Sequence, residues 1–88
     1  MAVAALAVDN SESHAQRVKR LKAEAQESAR RHARDFVRAL AEVEIFIADI
    51  LDGGEAYPVG VREAARTLGP EVEGARLNVL AILDRLPS

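Results

Sequence analysis

Histidine is the side chain best suited to moving protons or phosphoryl groups near neutral pH, and the chain has two. His32 is flanked by Arg31 and Arg34 and is the one polar interruption of an apolar stripe. Its spacing admits three uses: a phosphotransfer group on a bundle helix, a pH-sensitive interface group, or a hydrogen-bonded seam residue. His14 lies eighteen residues away, near the start of the same segment. Neither histidine has a His or Glu partner at i,i+4, and the chain has no cysteine, so a metal site is not expected. Glu42 and Glu44 are two apart and cannot face each other on a helix. Gly53-Gly54 has the look of a helix stop, not a phosphate loop, and no Ser/His/Asp ordering stands out. The expectation is a protein that is not an enzyme, with no catalytic residue, bound metal or cofactor.

Charge is the next candidate for function. Residues 14 to 38 carry eight basic and three acidic side chains, a balance of +5. Residues 39 to 88 carry four and nine, a balance of −5. A basic helix can serve nucleic acid, because phosphate contacts need clustered Lys and Arg. Here Arg17, Lys19, Arg20, Lys22, Arg30, Arg31, Arg34 and Arg38 spread over roughly 220° of the helical wheel and share it with Glu24, Glu27 and Asp35. Glu27 with Arg31, Arg31 with Asp35 and Arg38 with Glu42 have the i,i+4 spacing of a solvated, ion-paired face. No aromatic residue lies on this arm to stack a base. A small nucleic-acid-associated regulator is therefore the alternative, and a phosphotransfer-type domain acting through His32 the third.

The stretch Val61 to Leu80 resembles a helix-turn-helix in its first part. Ala64, Ala65, Leu68 and Gly69 stand where that motif has its small residues, leucine and turn glycine. The resemblance covers about ten residues and then departs, since Pro70, Ala75 and Asn78 occupy places where bulky apolar residues lock a recognition helix. Glu71 and Glu73 would face phosphates and repel them. Arg76, near the middle of an apolar face, is expected to snorkel or to pair with an acidic residue across an interface, Asp49 being one candidate.

The elements that must position these residues are all helical. Residues 11 to 52 contain neither proline nor glycine and are rich in good helix formers, which predicts one long helix. Ser13 and Gln16 have capping-box spacing, with Ser11 the other candidate cap, and Gly53-Gly54 supplies the positive-φ stop. Pro58 suits the first turn of a second helix over about 58–68, with an apolar face of Val59, Val61, Ala64, Ala65 and Leu68. Gly69-Pro70 predicts a break and a third helix over about 70–86, whose apolar stripe is Val72, Ala75, Val79, Ile82 and Leu86, widened by Leu80 and Leu83. No alternation of strand type is present, so the expected class is all-α. Residues 1–10 are expected to form a flexible or docked arm, and 11–88 a single helical domain.

From Phe36 to Leu51 twelve of sixteen residues are apolar, more than one covering helix can bury. The two shorter helices are therefore expected to fold back on this half, leaving residues 11 to 35 as an arm of roughly 37 Å. Along the whole helix Val18, Leu21, Ala25, Ala29, His32, Phe36, Leu40, Val43, Ile47 and Leu51 recur in steps of 3, 4 and 4, a period that keeps the stripe on one side of a nearly straight helix.

An 88-residue chain without disulfides buries only about 60–65% of its unfolded surface alone, so help from a second copy is expected. The expected interface comprises Val18, Leu21, Ala25, Ala29, His32 and Phe36 with Leu40, Val43, Phe46, Ile47 and Ile50, the last five shared with the intrachain core. The expected protein is a small helical homo-oligomer, a homodimer or larger, acting as a protein-interaction or regulatory module. Its bundle is completed by self-association, with another protein as a further candidate partner. Nucleic acid and membrane are not expected partners. A cytoplasmic location fits the lack of cysteine.

Overall fold

The computed structural model describes residues 12–87, and the expected arm over 1–10 and the candidate cap Ser11 lie outside them. Two α-helices form an antiparallel hairpin: α1, His14–Gly53, and α2, Val59–Asp84, joined through a short 3₁₀ turn at Gly54–Ala56. The capping box forms at the start of α1. The Gln16 amide donates to the Ser13 hydroxyl at 3.0 Å, and the Ser13 amide donates to Gln16 Oε1 at 2.8 Å. The helix thus begins at His14, three residues later than residue 11, because the box fixes Ser13 as the cap.

At the other end Gly54 takes φ 54°, a conformation costly for any residue with a Cβ, and its N–H reaches the Leu51 carbonyl. Gly53 leaves room for a neighbouring ring. A Cβ there would lie 2.9 Å from Tyr57 Cδ2 and closer still to Cε2, because the tyrosine ring folds over this turn. Pro58 caps α2 from just outside it, its carbonyl accepting from the Val61 and Arg62 amides at 3.0 and 3.1 Å.

The expected break at Gly69-Pro70 does not occur, and one 26-residue helix replaces the two expected over 58–68 and 70–86. Proline in a helix interior removes one hydrogen bond, here to the Arg66 carbonyl, and crowds the preceding turn. It also disfavours helical geometry in the residue before it, through clashes that include that residue's Cβ. Gly69 has no Cβ, which relieves that clash. Packing does the rest: Ala65 and Val72, on either side of the proline, are both buried against Ile47 of α1, so tertiary contact holds the chain helical across the weak point. Val61 to Leu80 is accordingly continuous helix, with neither the turn nor the separate recognition helix of a helix-turn-helix.

The core is narrow. Ile47, Ala65 and Val72 form a buried cluster, with Leu40 and Ile50 packed against it, and Leu83 is buried farther along α2. Along α1 the residues that lose exposure are Arg30, Ala33, Val37, Leu40, Ala41, Glu44, Ile47 and Ile50, close to the alternating three-and-four spacing of a helix–helix seam. A continuous α2 of roughly 39 Å reaches farther than either expected piece, and Arg30 Nη1 donates to the Pro87 carbonyl at 3.2 Å. The uncovered arm is shortened to His14 through Ala29, every residue of which is exposed.

Candidate functional site

The seam between the helices contains one charged pair. Arg76, on the α1-facing side of α2, donates through Nε to Glu44 Oε2, and its Nη2 lies 3.3 Å from Oε1. Both side chains are about three-quarters covered. The bidentate bond to Glu44 raises the guanidinium pKa further above its ordinary value, outweighing the opposing effect of burial. The expected partner, Asp49, is exposed. The antiparallel register explains the difference: α2 passes Ile47 at Gly69 and Val72, so Arg76, one turn farther on, meets Glu44, one turn back. Glu44 could have been read from the sequence, since Val37, Leu40, Glu44, Ile47 and Leu51 keep seam spacing.

The exposed basic face is only partly ion-paired. Arg20 is held by Glu12 at 2.7 Å and by Glu24 at 3.2 Å, while Arg38 pairs with Asp35 at 3.3 Å. Glu63 and Arg66 form another such pair on α2. The i,i+4 pairs expected at Glu27–Arg31, Arg31–Asp35 and Arg38–Glu42 are not among them; Arg38 turns back to the i−3 carboxylate instead. Hydrogen bonding from Arg20 draws the Glu12 carboxyl below the usual carboxylate range. Arg30 reaches the Pro87 carbonyl, Arg34 and Arg38 line an open pocket of about 360 Å³ with Arg76, Leu80 and Leu83, and the remaining basic side chains of the arm are exposed. Among the described residues no group of three His, Asp or Glu side chains could hold a metal ion.

The larger feature is apolar. Phe36 is 50% exposed and Phe46 68% exposed, and Val18, Leu21 and Val43 stand open on the same stripe of α1. Ala25, Ala29 and His32 are exposed between them, whereas Leu40 and Ile50 are half-buried and Ile47 is in the core. On α2 the sequence pattern pointed to one broad buried face, but only Ala65, Val72 and Leu83 are buried. Val61, Leu68, Ile82 and, just past the helix, Leu86 remain exposed. The α2 face was not foreseen as interface; its signal was an apolar arc wider than one facing helix covers.

These two stripes share a side of the hairpin. On each helix the exposed stripe is rotated from the seam by roughly 70–100° in the same sense of winding. Because the helices run in opposite directions, equal rotations turn both stripes the same way. The result is a continuous apolar face, two helices wide over the hairpin and one helix wide along the arm. The opposite side carries Ile45 on α1 and Val59 and Leu77 on α2 as exposed apolar residues, set among charged side chains. It contains an open groove of about 530 Å³ where Gly69 and Gly74 leave α2 bare, lined by Ile47, Leu51 and Leu77 and bordered by Glu44, Arg66 and Glu73. No helix among the described residues is long and apolar enough to cross a membrane. In comparisons with known proteins, no family model, curated protein or solved structure matches this chain.

Proposed function

We propose that this chain is a non-enzymatic, self-associating helical module that acts through protein–protein contact, its hairpin completed into a larger bundle by a second copy. The supporting observation is the two-helix apolar face. A hairpin with one such face is half of a helical bundle, and the unburied half must be covered for the bundle to form. Phe36 and Phe46 are the anchors of that face, the kind of side chain that dominates interface energetics.

The surface area agrees. The chain exposes 6928 Å², whereas a compact monomer of its 9.5 kDa exposes about 5,000 Å². The surplus of about 1,900 Å² per copy, about 3,800 Å² over two, falls within what permanent dimers bury when both partners are counted.

Sedimentation tests the proposal, with wild type at micromolar concentration expected to run as a dimer or larger. Phe46→Asp, at a site largely exposed within one chain, is expected to run as a helical monomer. A wild type that sediments as a well-folded monomer overturns the proposal.

A further inference from the structure

We infer that two copies pair antiparallel along the full length of α1, so that the basic arm of each lies across the acidic hairpin of the other. The inference rests on the self-association proposed above and adds the orientation and register.

Three observations select this arrangement. First, the charge is divided along the chain, +5 over residues 14 to 38 and −5 over 39 to 88. A parallel pair would lay arm on arm, and a pair docked hairpin on hairpin would oppose two acidic halves. Full-length antiparallel pairing sets opposite signs against each other along the contact. Second, the apolar stripe does not stop where α2 ends. Val18 and Leu21 are about half exposed on an arm that no other element among the described residues covers. Hairpin-on-hairpin docking would leave them in water.

Third, the spacing is self-complementary. In a register centred on Arg34, half a residue past the midpoint of His14–Gly53, Val18 falls opposite Ile50 of the second copy and Leu21 opposite Ile47, beside its Phe46. Ala25 falls opposite Val43, Ala29 opposite Ala39, and His32 opposite Phe36. Small residues on the arm meet the smaller residues of the hairpin, and its two large residues meet the region around Phe46 and Ile50. Each arm then becomes the third helix over the partner's α1–α2 face, covering both stripes at once, and near the midpoint all four helices overlap. The two-fold symmetry makes one surface serve as both donor and acceptor of the arm.

The native chain has no cysteine, which makes single-cysteine crosslinking unambiguous. Ala25→Cys and Val43→Cys are prepared separately, mixed and oxidised. A disulfide-linked heterodimer that forms only in the mixture is the expected result. Ready self-crosslinking of Ala25→Cys alone indicates parallel pairing, and of Val43→Cys alone indicates hairpin-on-hairpin docking; either overturns the antiparallel register while leaving self-association standing. A monomer in sedimentation overturns both proposals. Wild type supplies a readout that needs no substitution. Between 50 mM and 500 mM salt the dimer is expected to weaken by roughly tenfold as its opposite charges are screened. Tightening with salt marks like charges at the interface and overturns the orientation.

Discussion

The two ends of α1 are one unbroken helix in two different settings. From Arg30 to Ile50 the helix has a neighbour, and Leu40, Glu44 and Ile47 are packed or paired against α2. From His14 to Ala29 it has none among the described residues, and its order comes from alanine-rich composition, the Ser13–Gln16 box and ion pairs such as Arg20–Glu24. Isolated helices of this length are marginal in water, so the covered half acts as the nucleus from which the arm extends. The difference teaches that helicity and fixed position have separate origins here: propensity makes the arm helical, and only packing tells a helix where to lie.

Substitution with aspartate at matched apolar sites should expose that difference most strongly. Ile47→Asp places a charge at a site only 8% exposed, between Ala65 and Val72, and should cost several kcal/mol, enough to abolish most helical circular dichroism. Leu21→Asp, on the arm, should leave the hairpin helical and weaken only association. Comparable loss of structure in both variants would erase the distinction between the halves.

A smaller effect is expected inside α2. Pro70→Ala restores a helical N–H toward the Arg66 carbonyl and should raise stability by about 1–3 kcal/mol. Gly69→Ala should change it by less than about 1 kcal/mol, because a Cβ there meets Ile47 Cγ2 at 3.6 Å, an ordinary contact, and the gain in helix propensity offsets the returning clash with Pro70. Thermal melting separates these outcomes from a true corner, where a glycine required for the turn would make Gly69→Ala strongly destabilising.

The smallest effect is confined to the first turn of the arm. Glu12 is drawn below the ordinary glutamate range by its bond from Arg20, so its tether is present above that range and is lost as pH falls through the lowered value. Amide exchange at His14 to Arg20 should quicken in acid more than exchange around Ile47. Equal acceleration at both places would show that the arm and hairpin open together.

Much of this organisation is written locally. The cap at Ser13, the stop at Gly54 and the start after Pro58 each depend on residues within a turn, and each is legible from spacing alone. Gly69-Pro70 is different. Its local chemistry favours a break, and only the burial of Ala65 and Val72 against a residue some twenty positions away keeps it helical. The partner of Arg76 is hidden for the same reason, since choosing Glu44 over Asp49 requires the register between helices. In the candidate site, the α1 stripe is legible as periodicity. The α2 half emerges only once the actual seam shows which part of each apolar arc has been used.

The turn at Gly54 also orders the hairpin in time. Contacts next to it close short loops: Gly69 meets Ile47 across about twenty residues, Arg76 meets Glu44 across 32, and Arg30 meets Pro87 across 57. The entropy of closure grows with each step, so the pairs nearest the turn form at least cost and each shortens the loop the next must close. The hairpin therefore closes like a zip from Tyr57 toward Pro87. It opens in reverse, with the junction between hairpin and arm releasing first.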